Sequence, residues 1–592
     1  MSVKRPQQTK SALSRLIQYL GDYKWTVMLV AILVVISSLA NVFGTFMLKP
    51  IINDTIAMHD LEGLLRKLLI LGTIYFCGAS ASLTYTQLMV RVSQRVIANI
   101  RRDLFEHMEK LSIRYFDTHT HGEMMSSFTN DIDTVADALN SSFTMLIQSL
   151  TVTIGTMIMI VVLSWQLSIV VFAALFLMVL YVRYNSGKSR EYFRKQQLSL
   201  ANLNGYIEEI IEGQKVAKVF NHEHEDLKTF TKESEKVRDS AIAAATYSGR
   251  LVPMIVSISY INYSMSAVMG ALFTLSGLLD VGSLTAYLVY VRQSAMPLNQ
   301  LTGQINMILI ALAGAERIFN ILEIQPENDE GTITSDTHSW HHKGQDFPIH
   351  GDVVFDHVSF GYNSNKLILK DLSFNAKSGQ KIALVGSTGA GKTTIINLLS
   401  RFYDVSKGSI LIDGLNIKDI VKHDLRKEMA MVTQDTHLFS GTIMDNIRYG
   451  NLEASDEMVI EAAKLANADS FIRRLPQGYQ TKIRGKADNL SQGQRQLLSI
   501  ARAAVSNPHI LILDEATSSI DTRTERLIER GMDALMQGRT TFVIAHRLST
   551  VRNADSILVL EYGEIIERGP HDELLAQKGR YYQLYHGLAK LS

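Results

Sequence analysis

A run of apolar residues from 25 to 48 is the feature that most constrains how this chain folds. It contains no charged side chain, and as an α-helix it is long enough to cross the roughly 30 Å hydrocarbon core of a bilayer. Similar runs follow at about residues 68–90, 139–163, 167–184, 251–279 and 282–311. Because a backbone in lipid must satisfy its hydrogen bonds internally, each run is predicted to be a membrane-spanning helix. The sequence therefore predicts a helical transmembrane domain with six spans.

The distribution of basic residues predicts how these spans are oriented. Lysines and arginines concentrate before residue 25 and in the segments 91–114 and 183–250, and the positive-inside rule makes these segments cytoplasmic. An even number of spans returns the chain to the side where it began. We therefore expect a multi-pass membrane protein, with everything after the last span in the cytoplasm.

Two details of this half indicate function. The long cytoplasmic connections are helical in pattern but break near residues 116–123 and 212–221, which predicts short crosswise helices that contact a cytoplasmic domain. Arg292 lies inside the sixth apolar run, where a guanidinium is costly and usually faces a bundle interior or a water-filled cavity. The alternative for Arg292 is a partner for a helix-end carbonyl or a nearby acidic residue.

Composition changes after the last span. Residues 323–348 are rich in Asp, Glu, His, Gly and Thr and are predicted to be an unstructured linker, in which His338, His341 and His342 are not expected to bind a metal. Residues 349–592 have the composition of a soluble α/β domain. The predicted organisation is a cytoplasmic segment 1–24, a transmembrane domain 25–322, the linker and this domain. Lys+Arg (59) balance Asp+Glu (58), which argues against a nucleic-acid partner.

The α/β domain contains a phosphate-binding loop. An apolar strand at 381–385 leads into GxxxxGK[ST], and a helix is predicted from residue 395. Backbone N–H groups of such a loop wrap phosphates, its lysine reaches the β and γ phosphates, and its threonine offers a hydroxyl to Mg²⁺. ATP and Mg²⁺ are therefore the expected cofactors, and the predicted binding residues are Gly386, Ser387, Thr388, Gly389, Ala390, Gly391, Lys392, Thr393 and Thr394.

Polar residues at the ends of two further strands complete the predicted site. Residues 510–513 form an apolar run that ends in Asp514 and Glu515. Asp514 is a candidate Mg²⁺ ligand, and Glu515 is the candidate base for water that attacks the γ-phosphate. A second strand at 541–545 is followed by His546, whose imidazole can hydrogen-bond the γ-phosphate.

The order of these motifs resembles that of an ABC-transporter nucleotide-binding domain. The motifs that carry the resemblance are residues 386–394, Gln434, residues 490–494, residues 510–515, residues 518–521 and His546. Six spans followed by one such domain resemble a half-size ABC exporter. The resemblance implies that two subunits pair head to tail, with each ATP between the phosphate loop of one and the signature turn of the other.

The resemblance also implies roles for individual residues. Tyr362 would stack on adenine, Asp521 would cross the dimer interface, and Gln434 would link Mg²⁺ and the attacking water to the membrane half. The crosswise helices near Thr118 and Lys218 match the family's coupling helices. The signature residues expected to contact the partner's ATP are Ser491, Gly493 and Gln494.

One position departs from the family pattern. The usual signature is LSGGQ, and here Gln492 occupies its third position. A glycine there allows close backbone approach to the γ-phosphate, so the glutamine is predicted to weaken the half-site that this signature completes. Because Glu515 and His546 are intact, the chain resembles the glutamate-bearing subunit of a heterodimeric bacterial multidrug exporter. This resemblance implies a location in the bacterial cytoplasmic membrane.

The sequence thus predicts an ATP hydrolase coupled to transport, of the xenobiotic translocase type. It would export amphipathic drugs or other hydrophobic small molecules by alternating access, with a second ABC half-transporter as its partner. The first alternative is a homodimeric lipid flippase or exporter. The second is a non-hydrolytic ABC regulator or channel, against which the intact Glu515 argues.

Overall fold

The computed structural model describes residues 9–294, 296–336, 338–363, 366–434, 436–485, 487, 489–514, 522–544 and 551–589. The chain divides into two compact units. The helical unit comprises Met1–Glu109 and Thr120–Ile324, and the α/β unit comprises Lys110–His119 and Gln325–Ser592. The short segment Lys110–His119 therefore belongs to the α/β unit, although it lies between two parts of the helical unit in sequence.

The helices up to residue 323 are mostly long. They are α1 (Thr9–Gly21), α2 (Lys24–Phe46), α3 (Leu48–Pro50), α4 (Leu61–Met108), α5 (Ile113–Thr118), α6 (His121–Ser126), α7 (Ile132–Asp137), α8 (Phe143–Leu163), α9 (Trp165–Glu212), α10 (Gln214–Val219), α11 (Glu223–Gly249), α12 (Leu251–Leu275), α13 (Val281–Gln293) and α14 (Met296–Glu323). Three π-helical segments, Ile51–Ile56, Ser127–Asp131 and Ala138–Ser142, join some of them without a break in the chain's direction.

The prediction of six apolar spans is confirmed. Within the described residues, six helical segments are long and apolar enough to cross a membrane: Lys24–Ile56, Leu61–Met108, His121–Leu163, Trp165–Glu212, Glu223–Leu275 and Gly303–Glu323. Several continue well beyond the predicted runs, because the adjoining polar sequence has few glycines or prolines to end a helix. In the region of the sixth predicted run, α13 ends at Gln293 and α14 begins at Met296; of the two residues between them, Ala295 lies outside the described residues.

Side-chain hydrogen bonds cap the helices that follow two of the turns between spans. Ser164 precedes α9, and its Oγ accepts a hydrogen bond from Leu167 N at 3.4 Å. Asp280 precedes α13 and accepts from Ser283 N at 2.6 Å. Such caps satisfy backbone donors that have no partner at a helix start, so these short connections are well-formed helix boundaries.

The core of the helical unit is formed by α2, α8, α9, α12 and α13. Tyr287 and Tyr290 are fully buried in it, and the Tyr290 hydroxyl donates to Val42 O at 2.6 Å. Large apolar side chains such as Trp25, Phe76 and Phe176 are exposed instead. Exposed apolar side chains on spans are what contact with lipid requires.

The α/β unit contains fifteen strands among its described residues. They are β1 (Thr334–Ser335), β2 (Ser339–His342), β3 (Gln345–Pro348), β4 (Val353–Phe360), β5 (Leu369–Ala376), β6 (Lys381–Gly386), β7 (Lys407–Ile412), β8 (Leu415–Asn416), β9 (Met429–Val432), β10 (Gly441–Thr442), β11 (Lys482–Ile483), β12 (Ile510–Asp514), β13 (Thr540–Ile544), β14 (Ser556–Glu561) and β15 (Glu564–Gly569). The helices of this unit are α5, α15 (Lys392–Leu399), α16 (Lys422–Lys427), α17 (Ile443–Arg448), α18 (Asp456–Leu465), α19 (Asp469–Ile472), α20 (Gln492–Val505), α21 (Thr522–Met536), α22 (His571–Ala576) and α23 (Arg580–Ala589).

Two main sheets organise the α/β unit. The larger has the order β15-β14-β6-β13-β12-β9, and its neighbours are parallel except for the antiparallel pair β14 and β15. Its parallel strands are almost entirely apolar and buried, as expected when both faces of a sheet are covered. The second sheet, β5-β4-β7-β8, is antiparallel. The predicted fold class, a six-helix membrane domain followed by an α/β phosphate-loop domain, is confirmed.

The prediction of an unstructured linker at 323–348 is wrong for residues 334–348. Strands β1, β2 and β3 form a small antiparallel sheet there, and Trp340 in β2 is completely buried. Its indole Nε1 donates to Asp413 Oδ2 at 3.0 Å. Polar composition concealed this sheet because its anchor is a contact between residues distant in sequence.

The histidines of this small sheet make local ion pairs. His341 Nδ1 lies 2.7 Å from Asp346 Oδ1, and its Nε2 lies 3.1 Å from Asp336 Oδ2. The hydrogen bond to Asp346 and the neighbouring carboxylates raise the pKa of His341. In the described part of the chain no group of three or more His, Cys, Asp or Glu side chains is arranged to hold a metal ion.

Candidate nucleotide-binding site

The phosphate loop connects β6 to α15 through glycines that its geometry requires. Gly389 and Gly391 have φ of +83° and +107°, a backbone region that side chains disfavour. A Cβ on Gly386 would lie 2.3 Å from Leu560 O, and one on Gly391 would lie 2.6 Å from Leu369 Cδ2. At Gly389 a Cβ would meet nothing within 4 Å. The loop is therefore closely packed on its protein side and open at Gly389.

Lys392, the first residue of α15, lies within this loop. Its side chain is only 9% exposed, and Nζ donates to Gly386 O at 2.8 Å and to Ser387 O at 3.0 Å. Burial lowers the pKa of Lys392, while the carboxylate of Asp514 acts in the opposite direction. A buried ammonium beside a helix N-terminus fits the phosphates of a nucleotide, which would supply the countercharge that loop carbonyls lack.

Strand register aligns the polar residues that follow β6, β9 and β12. Leu513 is opposite Val432, Asp514 is opposite Ile544, and Ile544 is opposite Leu384. All these strands are parallel, so the phosphate loop, Asp514 and Gln434, which follows β9, leave the sheet at the same edge. Ligands of open α/β sheets bind at this carboxyl edge.

The same edge carries oxygen ligands suited to Mg²⁺. The candidates are the hydroxyl of Thr393, the carboxylate of Asp514 and the amide oxygen of Gln434; Thr393 and Gln434 are exposed. Mg²⁺ is usually held by one or two carboxylates together with substrate phosphates and water rather than by an all-protein cage. A single carboxylate beside a phosphate loop fits that pattern.

Glu515, Asp521 and His546 lie outside the described residues. The described strands β12 and β13 end at Asp514 and Ile544, shortly before Glu515 and His546 in sequence. Their predicted roles therefore remain predictions.

The signature turn forms the N-terminus of α20. Ser491 Oγ accepts from Gln494 N at 3.3 Å, and Gln494 Oε1 accepts from Ser491 N at 3.0 Å. This reciprocal pair is a capping box, which satisfies two backbone donors at the helix start. Gly493 is buried, whereas Gln492 is exposed. Among the described residues, no hydrogen bond connects this turn to the phosphate loop.

Tyr362 is held beside α15. Its hydroxyl accepts from Asn397 Nδ2 at 3.0 Å and lies 3.4 Å from Thr394 Oγ1. Its ring packs edge to face against Tyr403, with centroids 5.0 Å apart. The structure thus places Tyr362 next to the helix that carries the phosphate loop, and adenine stacking remains a prediction for it.

Sequence reasoning missed the residues that join α5 to this site. Arg114 Nη2 donates to Tyr362 O at 2.6 Å, and the Tyr403 hydroxyl donates to Asp117 Oδ2 at 2.5 Å. Burial and this hydrogen bond to Asp117 both raise the pKa of Tyr403. The predicted break at residues 116–123 indicated a crosswise helix there, but Tyr403 and Asn397 carried no signal because their partners are remote in sequence.

The fold and the site together define a class of protein: long apolar helices that span a membrane, joined to a phosphate-loop domain that binds nucleotide. Models of the ABC transporter transmembrane region and of the ABC transporter domain match residues 27–298 and 369–518. The chain belongs to the ABC transporter family. It is a multi-pass membrane protein with a cytoplasmic nucleotide-binding domain, and this domain implies ATP hydrolysis coupled to transport.

Similar proteins span nearly the whole chain. An uncharacterized ABC transporter ATP-binding protein, YfiC of Bacillus subtilis, is 41% identical over 98% of this chain and 95% of its own length. The fatty acid ABC transporter ATP-binding/permease protein of Mycobacterium tuberculosis is 38% identical over 89% of this chain and 82% of its own. The ATP-dependent lipid A-core flippase of Legionella pneumophila is 35% identical, with coverages of 98% and 97%.

Proposed function

We propose that this chain is the glutamate-bearing half of a heterodimeric exporter that uses ATP to move amphipathic drugs or other hydrophobic small molecules out of the cytoplasm. The observation that carries the proposal is the contrast between a complete phosphate loop, with Lys392 buried inside it, and a signature turn in which Gln492 is exposed. This chain would then supply a complete phosphate loop to one ATP site and an altered signature turn to the other.

In this proposal the chain's own phosphate loop binds one ATP. The ammonium of Lys392 leaves the carbonyls of Gly386 and Ser387 for the phosphates, and Tyr362 stacks on adenine. Bound Mg²⁺, held by Thr393, Asp514 and Gln434, would neutralise phosphate charge. Glu515 would orient and deprotonate the attacking water, and His546 would donate a hydrogen bond to the γ-phosphate.

The signature turn serves the partner's ATP in this proposal. The capping box keeps Ser491 and Gln494 in place at the start of α20, where helix N–H groups favour an anion. Gln492 adds an exposed side chain where the family has glycine, and that side chain keeps the backbone away from the γ-phosphate. Asp521 would complete the interface, and ATP binding at both sites would close the dimer and open the cavity outward.

A homodimeric lipid flippase is the second candidate. The names of the relatives favour it, since they include a fatty acid transporter and lipid A-core flippases. It requires both ATP sites to tolerate Gln492. A non-hydrolytic regulator is a third candidate, and the presence of Glu515 directly after Asp514 argues for hydrolysis instead.

Reconstitution of the chain alone tests the proposal. We expect the chain purified without a partner to hydrolyse ATP slowly and to move neither amphipathic dyes nor fluorescent phospholipid across proteoliposomes. Addition of the second half-transporter should restore ATP-dependent dye transport, and Lys392→Met in this chain should abolish it. A stable dimer of this chain alone with full dye-stimulated activity would contradict the heterodimer. Movement of phospholipid and not of dyes would favour the flippase.

A further inference from the structure

A polar cavity lies among the spans of the helical unit. It is open, has a volume of about 500 Å³, and is formed by α2, α8, α13 and α14. Val152 and Val289 contribute apolar surface to it. Its polar lining consists of Asn41, Gln148, Ser149, Arg292, Gln293 and Gln300.

Helix geometry indicates that this cavity lies within the depth of the membrane. Arg292 is about 17 Å along α13 from its start at Val281, and Gln148 is about 22 Å before the end of α8 at Leu163, at 1.5 Å per residue. Both helices meet the non-cytoplasmic side of the membrane at those ends, and the hydrocarbon core is roughly 30 Å thick. These residues are therefore expected within the hydrocarbon core rather than at its surfaces.

Arg292 is the one charged group in the described lining of the cavity. Its side chain is exposed, and within the described residues it makes neither an ion pair nor a hydrogen bond. The part of the chain that the structure describes thus offers no helix-end carbonyl or acidic side chain as its partner. An arginine at this depth normally pairs with another group or faces a site for a charged ligand.

A second polar group in the cavity also lacks a partner. Gln293 Nε2 donates to Thr45 Oγ1 at 3.4 Å, whereas Gln293 Oε1 is buried and has no hydrogen-bond partner. Buried polar atoms are almost always satisfied by protein, water or ligand. On the opposite wall, buried Ser149 donates to Gln300 Oε1 at 3.4 Å, which leaves the Gln300 amide N–H groups available as donors.

We propose that this cavity binds the anionic head group, a carboxylate or a phosphate, of an amphipathic substrate. The guanidinium of Arg292 would pair with the anion, since its planar donors match two oxygens of either group. The side-chain amides of Gln148 and Gln300 would donate to the remaining oxygens, and Gln293 Oε1 would accept from a hydroxyl of the ligand. This assignment makes the proposed function more specific. It rests on the proposed function only for the claim that the bound ligand is transported.

Charge and location together favour an anion over a neutral or cationic ligand. The described lining offers no carboxylate to balance a cation, and a positive charge already present in a low-dielectric region repels another. A neutral ligand would leave Arg292 unpaired and desolvated. An acyl or alkyl chain attached to the anion can lie along the apolar spans on either side.

Binding without ATP tests this assignment separately from transport. The full chain, in nanodiscs of zwitterionic lipid, is titrated with dodecanoate, dodecyl phosphate, dodecanol and dodecyltrimethylammonium, which share one alkyl chain. At low ionic strength we expect at least one of the two anionic amphiphiles to bind about tenfold more tightly than dodecanol, and the cation to bind most weakly. The tighter of the two anions identifies a carboxylate or a phosphate head group.

Variants test whether Arg292 causes the preference for anionic amphiphiles. Arg292→Gln should remove the preference for anions, Arg292→Lys should retain part of it, and Arg66→Gln should leave it unchanged, because Arg66 is exposed on α4 away from the cavity. Equal binding of all four amphiphiles by the wild type, or a preference that survives Arg292→Gln, would overturn the assignment. Anion binding by this chain, together with no ATP-driven movement of any amphiphile by the transporter assembled with its second half, would refute the proposed function and leave the cavity assignment standing.

Discussion

The guanidinium of Arg114 donates a hydrogen bond to the backbone carbonyl of Tyr362, 2.6 Å away. Arg114 lies in α5, and Tyr362 packs beside the helix that begins at the phosphate loop. The chain enters and leaves α5 from the helical unit, at Glu109 and Thr120. Among the described residues before Gln325, Lys110–His119 is the segment that belongs to the α/β unit, and we expect it to transmit movement at the nucleotide to the helices that flank it.

Removal of this contact should uncouple hydrolysis from transport. We expect Arg114→Ala to keep basal ATPase activity within about threefold of wild type, because an exposed interaction contributes little to stability, and to lose stimulation by a transported amphiphile. Tyr403→Phe, which removes only the hydroxyl bonded to Asp117, should reduce the stimulation less. ATPase assays with and without amphiphile measure both effects.

Arg101→Ala is the matched control for Arg114→Ala. Arg101 is also exposed, and its ion pair with Asp133 lies within the helical unit. Undiminished stimulation in both Arg114→Ala and Tyr403→Phe would show that α5 does not carry the coupling through these contacts.

Lys392→Met should abolish nucleotide binding without unfolding the α/β unit. Burial of the Lys392 ammonium disfavours its charged form, and the substitution removes this unfavourable burial of charge. The melting temperature of the nucleotide-free protein should therefore not fall appreciably. Saturating ATP stabilises the wild type by mass action and should not stabilise the variant. Differential scanning calorimetry measures both effects, and Lys377→Met, at an exposed lysine before β6, should respond to ATP normally.

Trp340→Ala should destabilise the α/β unit by about 3–5 kcal/mol, the usual cost of truncating a buried aromatic side chain. Trp340 is fully buried and supplies the indole donor to Asp413, whose carboxylate also accepts from the backbone N–H groups of Gly351 and Asp352. Denaturant unfolding of the purified protein checks this. His342→Ala, in the same strand but only partly buried, should cost less than about 1 kcal/mol. A cost for Trp340→Ala as small as that expected for His342→Ala would mean that burial of the indole does not stabilise the α/β unit.

These examples show which features were predictable from sequence. The spans, the strands before Gly386 and Asp514, and the phosphate loop depend on local pattern: long apolar runs, short buried strands and glycines at fixed spacing. Trp340 in β2 and Tyr403 beside α5 depend on partners many residues away. A tryptophan among polar residues indicates little until Asp413 is placed beside it, which is why residues 334–348 were wrongly expected to be unstructured.

The inequality of the two ATP sites can be tested at Gln492. Gln492→Gly should raise ATP turnover of the assembled transporter, because the backbone of the signature turn could then approach the partner's γ-phosphate. A glycine in the first turn of α20 should cost at most about 1 kcal/mol, so stability should hardly change. Gln492→Ala is the control, since it shortens the side chain but keeps Cβ. Unchanged or lower turnover for Gln492→Gly would show that this residue does not limit the site.

The central claim is that ATP hydrolysis with Glu515 of this chain as the general base drives transport. Comparison of Glu515→Gln with the wild type tests this claim most directly. ATP hydrolysis and ATP binding are measured on the same reconstituted transporter. We predict that the variant binds ATP with wild-type affinity and loses at least about 100-fold in hydrolysis rate, as expected for the loss of a general base. Equal rates of hydrolysis by the two proteins would contradict the account.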